Sequence, residues 1–289
     1  MRVRHLILLT IFFNCALAAP EQKEVPKEGT LFRYKGKVGD SKRTRSQYVL
    51  RMASELRGLP EPRTGKIEFT ADGIYLHRIL SVDPDGTLEI ETVKEKGTAT
   101  LTIDDQKKEQ PDRPFKRVIR MTNRGKVLEE KIEGRPKAEE EESFGPIEWL
   151  EKLSEKTVEN IAFPDKPIKV GDRWEEQITV TLTRRLKVPV LLKSVLKEFR
   201  TVDKRRVGVI ETIVDAPFQT EDSRDGATMN LQARFTGTFT LLFDPEEGDE
   251  WEAQDDTRLV MEMVIDIPGK GSISQTHRVI ARSRMTRLE

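Results

Sequence analysis

Met229-Asn230-Leu231-Gln232-Ala233-Arg234-Phe235-Thr236-Gly237-Thr238-Phe239-Thr240-Leu241-Leu242-Phe243 decides the fold class. Met229, Leu231, Ala233, Phe235, Gly237, Phe239, Leu241 and Phe243 alternate with Asn230, Gln232, Arg234, Thr236, Thr238 and Thr240. A period of two puts the two sets on opposite faces of an extended chain, one dry and one wet. Leu259, Met261, Met263, Ile265 and Ile267 repeat the pattern, and Ile273, Val279, Ala281 and Met285 follow it less regularly. Upstream, Ile74, Leu76, Leu80 and Val82 are expected on the dry face of another strand. Leu88 and Ile90 then follow the Asp83-Pro84-Asp85-Gly86 turn, and Leu101 and Ile103 follow Gly97. Ile119 and Met121 lead into the Asn123-Arg124-Gly125 turn, and Val127, Leu128 and Ile132 lead out of it. Faces this sharply divided fit antiparallel pairing.

One region reads differently. After the acidic run within residues 137–142, Ile147, Leu150, Leu153, Val158 and Ile161 fall near helical spacing, and Trp149 and Leu153 stand four apart. Pro146 at the first helical position and Glu148 in the first turn favour a helix start, so the pattern predicts a helix over Pro146–Asn160. Val49–Leu56 and Leu192–Phe199 satisfy helical and strand spacing alike.

The joint between this helix and the C-terminal strands is Phe163-Pro164-Asp165-Lys166-Pro167-Ile168-Lys169-Val170-Gly171-Asp172-Arg173-Trp174. Pro164 and Pro167 hold the chain extended, and Gly171 accepts a positive φ. The Asp172 side chain can take nearby backbone N–H groups, and Trp174 opens a strand as a core anchor. These five residues form the structural motif of the chain. Their string resembles the P-x-K-P-V-K-V-G-D-x-W motif of a family of uncharacterised exported bacterial β-rich proteins, with Ile168 where Val is common. The resemblance implies many β-strands behind a short signal sequence, turns the two ambiguous stretches into strands, and brings no activity with it.

The expected fold is therefore mainly β: a large antiparallel curved sheet, or an open barrel or sandwich. Lys37-Val38-Gly39-Asp40 recurs as Lys169-Val170-Gly171-Asp172, and at that offset residues 74–82 land on 206–214. This suggests two duplicated β halves bridged by one helix. The expected boundaries are a signal peptide at 1–18, a flexible leader at 19–28, an N-terminal β half at 29–135, an acidic linker and helix at 136–162, and a C-terminal β half at 163–289.

The N-terminus carries the address. Arg2 and Arg4, the apolar run from Leu6 to Phe13 and Ala16-Leu17-Ala18 read as a secretory signal peptide, and the apolar run is too short for a stable span. Cys15 is the one cysteine, so cleavage after Ala18 leaves a mature chain without thiols. Asn14 and Phe12 fit a lipoprotein signal badly. The protein is expected to be exported, periplasmic or extracellular, with no membrane span in the mature chain. Charged residues make up 35% of the 289, against about a quarter in ordinary domains. Lys and Arg number 50, as do Asp and Glu, which leaves no electrostatic footprint for nucleic acid.

The chemistry-bearing motifs are missing. His77 and His277 remain after processing, outside any metal-spaced pattern, and each is expected as a half-exposed strand residue. No Gly-x-Ser-x-Gly, Ser-x-x-Lys or phosphate-cradling loop occurs, and Gly269-Lys270-Gly271-Ser272 reads as a tight turn. Asp244, Glu246, Glu247, Asp249 and Glu250 crowd a loop without the spacing of a calcium hand. Arg278, Arg282 and Arg284, and Arg184, Arg185 and Lys187, read as outward polar faces. The sequence thus assigns no catalytic residue, metal ligand or cofactor, and leaves the ligand-binding residues unknown. The leading expectation is an exported, non-catalytic β protein binding an apolar ligand or an envelope partner. A structural or interaction module of the cell envelope is the alternative, and a carboxylate-dependent hydrolase the third reading.

Overall fold

In the computed structural model, the described residues are 28–110, 114–133, 145–183, 185–224, 227–269 and 271–288. The expected signal peptide, nearly all of the expected leader, the acidic run at 137–142 and Arg184 lie outside them. The chain folds as β1 (Ser41–Arg57), β2 (Arg63–Val82), β3 (Leu88–Ile103), β4 (Gln106–Gln110), β5 (Lys116–Met121), β6 (Val127–Glu133), α1 (Pro146–Val158), β7 (Arg173–Thr181), β8 (Lys187–Val202), β9 (Arg205–Arg224), β10 (Ala227–Asp244), β11 (Asp249–Ile267) and β12 (Gly271–Leu288). All twelve strands lie in one antiparallel sheet, ordered β6-β5-β3-β2-β1-β12-β11-β10-β9-β8-β7, with β4 paired to β3. Both ambiguous stretches are strands, within β1 and β8. The halves of the chain meet at the centre, where β1 pairs with β12 from Arg43 opposite Leu288 to Arg57 opposite Ser274.

The sheet curves without closing, and one helix bridges it. Helix α1 begins at Pro146, as its sequence dictates, and ends at Val158 with Glu159 as its C-cap, two residues short of the expected end. It buries Trp149, Leu150, Leu153 and Thr157 and packs inside the curve on β7, β10, β11 and β12. There the strict alternation of the C-terminal strands is realised as burial: Val188, Val190, Phe235 and Leu259 are fully buried and their strand neighbours point to solvent.

The free edges, β6 and β7, are fastened at one end by the joint. Val127 N–H donates to Glu159 O (2.9 Å) and Phe163 N–H to Arg124 O (2.9 Å). Trp174 Nε1 donates to Ala162 O (2.9 Å), and Lys126 pairs with Glu176 (3.0 Å). Phe163 and Ile168 enter a second core with Phe32, Leu196, Ile210 and Phe243, against which Trp174 packs. The Phe163 and Phe243 rings stand 4.8 Å apart, and Gly208 lets the Phe32 ring approach to where a Cβ would meet it at 2.6 Å.

The two Lys-Val-Gly-Asp turns fold alike. Gly39 and Gly171 have φ of 92° and 90°. Asp40 accepts from Lys37 N–H at 2.7 Å and Asp172 from Lys169 N–H at 2.8 Å. Gly39 N–H donates to Ile79 O and Gly171 N–H to Leu196 O, each beside a bulge in the receiving strand. The expected register between halves needs correction: the strand ending at Val82 corresponds to β8, not to 206–214 in β9. The second hairpin is shorter, so a constant offset fails after its first strand.

Candidate functional site

Leu50, Tyr48, Met52 and Phe69 of β1 and β2 join the core that α1 completes, but the other end of these strands, with β3 and β5, is not sealed by it. A trough of about 660 Å³ lies there, lined by Thr44 and Ser46 of β1, Tyr75 and His77 of β2, Leu88, Ile90 and Thr92 of β3, and Ile119 and Met121 of β5, among others. Met285 of β12 and Val158 of α1 form its far side, and the Glu247–Glu250 turn its rim. Tyr34 carries the trough into the aromatic core below, its ring 4.9 Å from Phe243. Leu88 and Met121 are buried at the bottom, whereas Ile90, Ile119, Tyr75 and Met285 are half-buried.

Register brings the wall together. Thr44 stands opposite Tyr75, Lys42 opposite His77, His77 opposite Thr92, and Ile90 opposite Ile119. This corrects the expectation for β2: Tyr75 and His77 face the trough, so Ile74 and Leu76 take the outer face, and Leu80 is 37% exposed. A bulge between Ile79 and Ser81 also breaks the parity assumed across residues 74–82. Apolar count misled here because this part of the inner wall is not sealed by a core.

His77 is a half-buried strand residue, close to expectation, whereas His277 departs from it. His77 lies between two hydroxyls, with Nε2 2.8 Å from Thr44 Oγ1 and Nδ1 2.9 Å from Thr92 Oγ1. Burial, reinforced by the Lys42 charge, lowers its pKa from 6.5 to about 4, so the ring is neutral at physiological pH. His277 is buried on β12, and burial lowers its pKa as well.

Most charges around the trough are matched. Lys42 pairs with Asp249, and Arg287 reaches Glu247 (3.2 Å) and Asp249 (3.4 Å). Arg117 pairs with Glu130 (2.5 Å) and Glu159 (3.3 Å). Tyr34 donates to Glu250 (2.5 Å), and burial with that carboxylate pushes its pKa well up. Lys35 donates to the carbonyls of Pro245 (2.9 Å) and Glu246 (3.2 Å). Beside Val158, carboxylate oxygens of Glu130, Glu155 and Glu159 lie within 4.8 Å of one another. Burial raises the Glu130 pKa against the opposing pull of Arg117, and Lys156 takes the other oxygen of Glu159 (2.5 Å).

The remaining sequence candidates resolve as structure. Asp244 accepts the N–H groups of Glu246 (2.8 Å) and Glu247 (3.1 Å) and caps a hairpin turn, and Arg205 pairs with Asp244 and Glu247. Arg282 and Arg284 lie outward, paired with Asp256 and Glu252. Pro164, Pro167, Gly171, Asp172 and Trp174 lie in the joint beneath the trough, not in its lining. No single strand announces the trough residues, since they converge only once the register of β1, β2, β3 and β5 is set. Among the described residues no helix is long and apolar enough to cross a membrane.

No family model matches the chain, and no curated protein matches it. Among solved structures, the chain is similar to a DUF1329 family protein from Desulfovibrio piger at 8% identity, over 83% of this chain and 84% of that one. The TM-score of 0.15 is too low for that likeness to carry an argument about fold or function.

Proposed function

We propose that the protein is an exported, non-catalytic binding protein that holds an apolar ligand in the trough of its N-terminal half. The observation that carries this reading is the uncovered inner wall: Ile90, Ile119, Met121, Val158 and Met285 border one space of about 660 Å³. That volume falls within the roughly 300–1,000 Å³ of small-molecule sites, and a mostly apolar lining with a few convergent polar groups is their usual make-up. The polar groups offer little for bond-breaking. The trough carboxylates Asp249 and Glu250 are held by Lys42, Arg287 and the Tyr34 hydroxyl. Export rests on the basic and apolar N-terminus and on the resemblance of residues 163–174 to the exported β-rich family.

Native mass spectrometry of gently purified protein tests the reading, together with uptake of the neutral dye N-phenyl-1-naphthylamine. A retained apolar mass and saturable dye binding are expected. Ile119→Lys, which sets a charge in the lining, is expected to weaken the dye at least about tenfold, because an unpaired charge is costly away from water. A protein that retains no apolar mass and takes up no dye would exclude carriage.

A further inference from the structure

The polar centre of the trough narrows the ligand further, granted the trough reading above. We propose that the trough takes a linear apolar molecule with an uncharged head bearing a hydroxyl, seated on Thr44, His77 and Thr92.

The argument starts from the hydrogen-bond capacity of the three side chains. A neutral imidazole has one N–H donor and one acceptor nitrogen, and a threonine hydroxyl has one donor and two lone pairs. His77 touches Thr44 through Nε2 and Thr92 through Nδ1. In either tautomer one threonine accepts from the ring and keeps its own O–H to give. The other donates to the ring and keeps its lone pairs. Among the described residues neither threonine hydroxyl has a further partner. The free donor and the free acceptor thus lie on opposite sides of the ring, Thr44 buried and Thr92 half-buried, and an alcohol, which can both donate and accept, pairs with Thr92 in either tautomer.

Charge points the same way. Lys42, Arg117 and Arg287 already face carboxylates, and Lys35 is held by two carbonyls. Arg78 stands exposed at the rim. A carboxylate or ammonium head drawn down beside His77 would lose water and find no uncommitted counter-charge there. An uncharged head avoids that cost, and its tail lies along Ile90, Ile119 and Met121.

Displacement of bound N-phenyl-1-naphthylamine from the full chain by decanol, decanoate and decyltrimethylammonium tests the inference. Decanol is expected to displace the dye at a concentration about tenfold below either ion. His77→Leu is expected to erase that advantage, each displacement being read relative to the variant's own dye affinity, and Thr92→Val serves if His77→Leu does not fold or bind the dye. An ion that equals or beats decanol overturns the inference, as does a decanol advantage that survives in the variant; in both cases the trough reading stands. A wild-type chain that binds no dye removes the trough reading itself and this inference with it.

Discussion

Phe235 and Ile90 both stand on the inner face of one continuous sheet, yet their surroundings differ. Phe235 is fully buried in a core that α1 completes with Trp149, Leu150 and Leu153. Ile90 borders open space with Ile119 and Thr92. Long antiparallel strands run on both sides, β1–β3 as well as β8–β12, so pairing alone does not decide whether an inner wall becomes core or cavity. The covering element decides it, and the described residues hold one helix for a wall of twelve strands. The covered part of the wall carries a share of stability that the open part does not.

The strongest way to break this contrast is to trim each half by the same chemistry. Leu153→Ala removes a fully buried side chain from α1 and is expected to cost about 4 kcal/mol, within the range for cavities in closed cores. Ile90→Ala, at a half-buried site open to water, is expected to cost less than about 1.5 kcal/mol, since much of its surface is already wet. Urea unfolding of both variants checks this, and equal losses would mean that the trough is core in solution.

Acid sharpens the contrast from the other side. The unfolded chain protonates His77 near its ordinary pKa of 6.5, whereas the folded chain resists until about 4. The contribution of His77 is therefore complete above about pH 6.5 and is lost as pH falls toward 4, by about 3 kcal/mol in all. His277, also lowered by burial, adds a loss of the same sign. Unfolding free energies measured across that window should fall less steeply in His77→Gln. An unchanged slope would show that the ring is solvated and the trough wall looser than described.

The smallest expected effect concerns a feature the halves share. Gly39→Ala and Gly171→Ala place a Cβ at positive φ with nothing within 4 Å to clash, so each should cost only the strain of the left-handed region, about 1 kcal/mol. Equal losses, read as shifts in the urea midpoint, are expected. A markedly larger loss at Gly171 would show that the joint depends on its turn more than β1 depends on its own.

The same contrast explains what the sequence disclosed. Met229–Phe243 and Leu259–Ile267 were legible because a sealed core demands apolar side chains at every second position. So were Pro146 as a helix start and the turn at Gly171-Asp172, whose chemistry is local. In the open part the inner face mixes Lys42, Thr44, His77 and Thr92 with Ile90 and Ile119, so the alternation blurs and Ile74 and Leu76 look like the dry side. Thr44 and Thr92 could be linked to His77 only through register, which a one-residue bulge shifts and which no single strand encodes. The trough is legible only in three dimensions.

The central pairing of β1 with β12 has a consequence for how the molecule comes into being. Arg43 of β1 must find Leu288 of β12, so the middle of the sheet closes only when that strand arrives, and until then β1 and β11 present unpaired, adhesive borders. Such long-range closure is slow and vulnerable to mispairing, which makes the crossing of the chain's midpoint the step on which assembly turns.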